Sequence, residues 1–596
     1  MQFRTLVLVS AFLSFLSTGY ASIVEHVDDL PTQEFDFVVI GGGTAGNVIA
    51  NRLTENPAVN VLVLEAGGFD ENDLNTKVPG FFARNMGSLL DWNFTANLGP
   101  ATDNRTGTVA RGFVLGGSSA INGMVYTRGS SDDWDRYADL TDDSGWSWDS
   151  IQQYIKKNEQ FTQPSDFHNV SGQFDPAVHG FDGINSVTLA SYVHKFDDLA
   201  IQSSLLPDAE IAFKLDPNDG NNIGLSWGQS TILNGERSSS ATSYLAPQFR
   251  KRPNLHILLH AHVTRILQTE DDCETSFSGV EFTQDAGATF QVVNATKEIV
   301  VSGGAIGSPN VLLNSGIGDA ETLTNLGIPS TLDLPSVGQN YTDQALVPYI
   351  WIVNSTDPND FLSQDEFVRE GQLEQWRENR TGPLADGPGV TLCFFRLPDN
   401  ASIFETVEDP SAGPNTSHIE MVFTSSNVGF LPAAVGNMTN FILASPNILT
   451  PASRGFLTIN SSNPLDRPVI NLNLLSSEFD VFAMREGVKT VQRLLATTPF
   501  QGFILQPTTN ATTDEEIDQL VRETISAGLH PVGSAAMSPK GADWGVVDPD
   551  LKLKGAKGVR VVDASVLPLV PSAHTQAPVY IVAERASDLI KADWKL

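Results

Sequence analysis

Phe35-Asp-Phe-Val-Val-Ile40 runs without a break into Gly41-Gly-Gly-Thr-Ala-Gly46 and then Asn47-Val-Ile-Ala-Asn-Arg-Leu-Thr-Glu55. The first six residues form a short apolar run with β-branched side chains, which predicts a strand, and the nine after the glycines read as helix. Val59-Asn-Val-Leu-Val-Leu-Glu-Ala-Gly67 then supplies a second buried strand. Strand, glycine turn, helix and strand fill about 30 residues, the size of one βαβ unit with a right-handed crossover. Gly41, Gly43 and Gly46 have the spacing that allows a tight turn, close approach of a pyrophosphate to backbone N–H groups, and close packing of helix on sheet. Thr44 and Ala45 lie at the helix amino end, which faces the phosphates. Glu65, closing the second strand, is placed to accept ribose hydroxyls. A glycine triplet alone is only a turn. The flanking elements and the acid at the right distance make this a dinucleotide-binding unit.

The chain has 596 residues, so two packed domains are expected. Apolar and charged fractions of 41% and 18% are those of a folded globular protein rather than a disordered or multi-span membrane chain. Arg4, the apolar stretch Leu6 to Leu16 and the small residues around Gly19 and Ala21 have the layout of a cleaved secretory signal over residues 1–21. No later segment approaches the roughly 18 uninterrupted apolar residues of a membrane span. Asn-x-Ser/Thr acceptors at Asn93, Asn104, Asn169, Asn294, Asn340, Asn354, Asn379, Asn400, Asn415, Asn437, Asn460 and Asn510 fit a glycosylated secreted protein. A formal net charge of −34 disfavours nucleic acid and anionic lipid as partners. Cys273 and Cys393 allow at most one disulfide, and sequence does not say whether they pair. His256, His260 and His262 lie in one strand-like alternation with no thiolate or carboxylate among them, so they are read as structural and no metal is expected.

Further along, Ser150 with Gln153 three residues later predicts a helix cap within Ser147 to Phe161. Residues 345–450, rich in Pro, Asn, Gly and Ser, read as irregular surface. A core-facing helix is predicted from Glu478 to Thr497 through Val481, Met484, Val488, Val491 and Leu495. Two more loops are candidates to meet a cofactor: Arg111 to Met124, rich in Gly and Ser, and Gly303 to Gly318, which follows a strand-like run and contains helix-like Pro309 to Ser315. Near the carboxyl end, His530 and His574 stand in Pro-flanked loops on either side of the strand-then-turn run Arg560 to Pro568. Spacing alone leaves open whether they form a catalytic pair. The dinucleotide motif does not separate NAD from FAD. Secretion favours FAD, because a dissociable nicotinamide would be diluted outside the cell whereas a flavin stays bound.

These motifs together resemble the glucose–methanol–choline (GMC) flavin oxidoreductases from about Phe35 to Leu589: the first turn with Glu65, the loop Arg111 to Gly129, the signature Gly304 to Gly318, and His530 with His574. The resemblance implies an α/β (α+β) architecture, a Rossmann-type FAD-binding domain with a second, substrate-binding domain built on an antiparallel sheet flanked by helices. The corresponding segments are 34–345 for the main FAD part with substrate-domain insertions, 346–519 for the substrate domain, and 520–596 for a return carrying the histidines. It implies that His530 takes the hydroxyl proton of an alcohol while hydride passes to flavin N5, and that His574 holds the same oxygen. It further places Gly117, Ser118, Asn122, Gly123, Met124, Val125, Val263, Asp563, Ala564 and Gln576 against FAD. Within the family the chain is most similar to the fungal branch of aryl-alcohol oxidases and pyranose dehydrogenases. Where the latter attach FAD through a His, this chain has Ile121, so the flavin is expected to be non-covalent. Where the former have gating aromatics, it has Gly123 and Leu529, so a wider pocket is expected. The implied enzyme takes an alcohol or sugar and oxygen or a quinone; with the amino-terminal signal it is expected to be secreted, and a monomer is expected with the oligomeric state left open. The alternative on the same scaffold is a flavin-containing hydroxynitrile lyase.

Overall fold

The βαβ unit is the centre of a computed structural model that describes residues 23–269, 275–355, 366–424 and 440–596. The expected signal segment 1–21, Cys273 and the acceptor Asn437 lie outside those residues. Strand Glu34–Ile40, helix Gly46–Leu53 and strand Val61–Leu64 follow in order, and the strands pair in parallel with Phe37 opposite Val61. Leu255–Leu258 and then Ile23–Val24 extend the sheet in parallel on one side, and Gln291–Val301 pairs in parallel with Glu34–Ile40 on the other. Phe37, Val38, Val39, Val61, Leu62 and Val63 are completely buried. Elements covered on both faces carry continuous apolar runs rather than alternation, which is what made them readable.

Gln291–Val301 serves two partners along one edge. Its first half pairs antiparallel with Phe277–Thr283, which carries His262–Gln268 in turn. Its last residues, Ile299 to Val301, pair in parallel with Val559–Val561, so the end of the chain returns to the nucleotide sheet. The single strand expected through His256, His260 and His262 is corrected here. The chain turns at His260, whose φ is 56°, and Leu255–Leu258 and His262–Gln268 occupy opposite parts of the sheet. Among the described residues no cluster of three or more His, Cys, Asp or Glu is placed to hold a metal ion.

A second sheet is antiparallel and runs Ile504–Pro507, Ile350–Val353, Phe441–Ile448, Ile419–Thr424, Thr391–Phe395 and Gly224–Trp227. It corrects the reading of residues 345–450 as irregular surface. The Pro- and Gly-rich stretches are connections, while strands such as Phe441–Ile448 are buried along their whole length and so show no period of two. Gly224–Trp227 joins this sheet from the amino-terminal half, and Ser526–Ala527 reaches it by way of Ala345–Leu346. Cys393 lies fully buried on one of its inner strands. Helix Glu478–Leu495 covers the sheet with Met484, Val488, Val491 and Leu495 inward. The earlier helix spans Trp148–Asn158 and is entered from Ser147, not Ser150. Ser150 already lies in the first turn, and its hydroxyl donates back to the Ser144 carbonyl at 2.8 Å. The last helix, Gln576–Trp594, packs on Gly46–Leu53. No described helix is long and apolar enough to cross a membrane.

Candidate active site

A cavity of about 390 Å³ opens where the parallel strands end and continues to the antiparallel sheet. Ligands of open α/β sheets bind at the carboxyl ends of strands, and here those ends supply Ile40, Leu64, Glu65 and Ser302. The wall also holds Gly41, Gly43, Thr44, Ala45, Gly117, Ser118, Asn122, Gly123, Met124, Val125, Val263, Asp563, Ala564, Gln576, His530 and His574. Every residue expected at the catalytic or cofactor site is therefore brought to one cavity except Gly46. Gly46 faces away from it: a Cβ there would stand 2.0 Å from the Gly41 carbonyl oxygen, so its role is to let the helix sit down on the turn.

The glycine turn is open on the cavity side. A Cβ on Gly43 would meet nothing nearer than Gly117 Cα at 3.8 Å, and one on Gly304 or Gly307 would meet nothing within 4 Å. Side chains at these wall positions would fill the cavity, which is the form of a cradle for a group lying close against backbone. Glu65 accepts the Gly42 and Gly67 N–H groups at 2.9 and 2.8 Å, leaving a second lone pair on each oxygen for a hydroxyl donor. Burial pushes its carboxyl up to about 7. Asp563 accepts Gly304 N–H at 2.8 Å, Ser308 Oγ at 2.5 Å and Ser565 N–H at 2.8 Å, tying the returning chain to helix Gly304–Asn314. The donor set and the open cradle fit a dinucleotide such as FAD.

His530 and His574 face one another with ring centroids 4.6 Å apart and planes at 75°. The orientation of the His530 ring follows from its neighbour Gln344. Gln344 Nε2 donates to the carbonyls of Pro571 and Ala573 at 3.1 and 3.0 Å, groups that can only accept. Its Oε1 must then point the other way, where it accepts Asn447 Nδ2 at 3.1 Å and lies 2.8 Å from His530 Nδ1. Nδ1 therefore carries the proton and Nε2 the lone pair. Burial first, then the electrostatic influence of His574 and Arg111, holds the His530 imidazole well below its ordinary pKa of 6.5. Arg111 donates to the carbonyl of Leu529, whose φ of 66° is left-handed for a non-glycine residue, and so fixes the bend that presents His530. Asp343 takes the His530 backbone N–H at 2.7 Å. His574 Nε2 lies 2.8 Å from Oε1 of the buried Glu420, and its backbone N–H donates to Thr127 Oγ1 at 2.8 Å.

Asn122 is held as firmly. Its Oδ1 accepts Arg237 Nη1 at 2.9 Å and Met124 N–H at 3.1 Å, which turns its amide NH2 to Gln576 Oε1, and Gln576 Nε2 donates to Thr231 Oγ1 at 3.1 Å. Gln344, Glu420, Asn447 and Arg237 escaped the sequence reading. Glu420 alone left a trace, as an acid inside the apolar strand Ile419–Thr424. The expected widening at Gly123 is offset: a Cβ there would lie 2.9 Å from Pro388 Cγ, so the proline ring occupies that side of the cavity.

Two sequence models of one family, described as GMC oxidoreductase, match residues 35–346 and 451–583. A pyranose dehydrogenase of Agaricus campestris is 42% identical over 596 aligned residues, 97% of either chain, and pyranose dehydrogenase 3 of Leucoagaricus meleagris is 41% identical over 597, again 97% of each. Among solved structures, a formate oxidase of Aspergillus oryzae superposes with a TM-score of 0.86 at 28% identity, covering 94% of this chain and 99% of its own. A fungal aryl-alcohol oxidase superposes with a TM-score of 0.81 at 26% identity, covering 95% of this chain and 100% of its own.

Proposed function

The chain belongs to the GMC oxidoreductase family, and from that premise we propose that it is a secreted, FAD-dependent enzyme that oxidises a sugar hydroxyl with His530 as general base. The observation that carries this reading is the facing pair of imidazoles on the wall of the cavity that also holds the Gly41–Ala45 turn. Bound FAD supplies the acceptor for the hydride that leaves the carbinol carbon. Gly41, Gly43, Thr44 and Glu65 would hold its adenosine and pyrophosphate portions, and Asn122, Gly123 and Gln576 its ring. Nε2 of His530 takes the hydroxyl proton, which makes departure of the hydride easier as negative charge builds on oxygen. His574, steadied by Glu420, grips the same oxygen. Because His530 resists protonation, it stays a free base in mildly acidic surroundings.

A sugar is favoured over a benzylic alcohol for two reasons. The pyranose dehydrogenases are alike over nearly their whole length, and the cavity wall on the antiparallel sheet offers Thr391, Glu420, Ser445 and Asn447, polar groups suited to several hydroxyls. Ile121 packs with Val114 and Ala120 and carries no nucleophile, which supports a non-covalent flavin. Oxygen or a quinone would take the electrons onward. Secretion rests on residues 1–21 and the many glycosylation acceptors.

The test is anaerobic mixing of the purified yellow protein with a panel of sugars and alcohols, read as bleaching of flavin absorbance. A pyranose is expected to bleach it, and His530→Ala to slow bleaching by roughly 10²-fold or more with FAD still bound. Near-normal bleaching in that variant removes His530 from its role, and a folded protein without flavin ends the reading.

A further inference from the structure

We propose that Arg237 is a fixed positive charge that balances the negative charge FAD acquires on reduction, acting through Asn122 on the histidine side of the cavity. This rests on the reading that the cavity binds FAD. Arg237, on the short strand Glu236–Arg237, is 4% exposed. Its Nε donates to the Thr76 carbonyl at 2.8 Å, and its Nη1 to the Ser119 carbonyl at 3.3 Å, the Asn122 carbonyl at 2.6 Å and Asn122 Oδ1 at 2.9 Å. All four acceptors are neutral. Among the described residues its Nη2 is buried with no partner.

Among the described residues, the other guanidinium groups less than a tenth exposed have carboxylates. Arg128 pairs with Glu159, Arg560 with Glu298 and Asp593, and Arg585 with Asp143. Among the described residues Arg237 has none, and burial, with no anion to oppose it, pulls its pKa down to about 9. An ion taken out of water without a counter-ion is a standing cost to the fold. Such a cost is borne where a bound group supplies the missing charge.

The position says which charge. Arg237 grips the oxygen of Asn122, Asn122 donates to Gln576, and Gln576 opens the last helix two residues beyond His574. The amino end of that helix adds positive potential at the same place. When a hydride carries two electrons from the carbinol carbon to the flavin and the hydroxyl proton goes to His530, the flavin gains one negative charge. A buried cation held one residue behind the cavity wall would favour that state, because the low-dielectric surroundings screen the attraction weakly.

The holoenzyme tests this by anaerobic equilibration with a redox dye. Arg237→Gln, which removes the charge, is expected to shift the two-electron equilibrium at least tenfold towards oxidised flavin, about 30 mV. Arg237→Lys, which keeps the charge, should stay within threefold of wild type. An unchanged equilibrium in the Gln variant overturns the proposal, as does an equal shift in both variants, which would mean the residue only supports the Asn122 loop. Weaker FAD binding with an unchanged equilibrium would assign the charge to the pyrophosphate instead and also overturns it. Should the Gln variant not hold FAD, Arg237→His carries the test: its deviation from wild type must grow as pH rises through the imidazole range, and a pH-independent deviation overturns the assignment. A wild-type protein that binds no flavin fails the parent reading, whatever Arg237 does.

Discussion

Two backbone carbonyls, at Pro571 and Ala573, determine where a proton sits on His530, because they force Gln344 to present its oxygen to Nδ1. Gln344→Met keeps the bulk and removes the acceptor. It is expected to lower the anaerobic reduction rate by about 10-fold, less than the roughly 10²-fold or more that a positioned base itself contributes, while KM for the substrate changes little. An unchanged rate would show that the ring needs no such support. Both histidines were legible in the sequence, but only through family resemblance, since 44 positions separate 530 from 574 and spacing brings no two loops together. Gln344 and Asn447 were not legible, and Glu420 only as an acid inside an apolar strand. They come from remote parts of the chain, and a single buried polar residue does not say which group it will meet.

At the scale of elements, legibility followed whether a buried strand kept an unbroken apolar run. The βαβ unit announced itself because glycine spacing, an apolar strand and a helix all coincide within one short segment. The antiparallel sheet hid because strands such as Phe441–Ile448, though buried throughout, are broken by Ser445, Pro446 and Asn447, and because the Pro and Asn content of the joining loops dominated the reading. Gly46 shows what the motif's last glycine does here: it is a packing residue between helix and turn. Gly46→Ala drives a methyl group against the Gly41 carbonyl, a backbone atom that cannot swing aside. Overpacking of this kind costs about 1–3 kcal/mol, so the variant should unfold at lower denaturant and lose FAD. Wild-type stability and flavin content in that variant would show that the helix can shift without consequence.

The whole molecule is acidic, with a formal net charge of −34, and several of its acids are buried. Burial pushes the Glu65 and Asp343 carboxyls up to about 7 and Asp386 to about 6. Unfolding would release those protons near the ordinary carboxylate pKa of about 4. Between that value and 7 the folded chain holds more protons than the unfolded one, so stability falls as pH rises through the window. His530, His256 and His262, held below 6.5 by burial, oppose this only on the acid side. The melting temperature should therefore be higher at pH 6 than at pH 8, and more so in the apoprotein, where Glu65 has no ribose hydroxyl to stabilise its ionised form. A flat or reversed profile in calorimetry would contradict these assignments.

Strand Gln291–Val301 waits for a neighbour, Val559–Val561, that the ribosome delivers much later. At roughly 5–20 residues per second, that interval lasts on the order of ten seconds or more, during which one edge of the nucleotide sheet is unpaired and neither imidazole exists. A nascent chain cannot close around its yellow pigment until synthesis is almost over. Flavin capture is thus a late event, and a product cut short by its last seventy or so residues would leave the ribosome colourless.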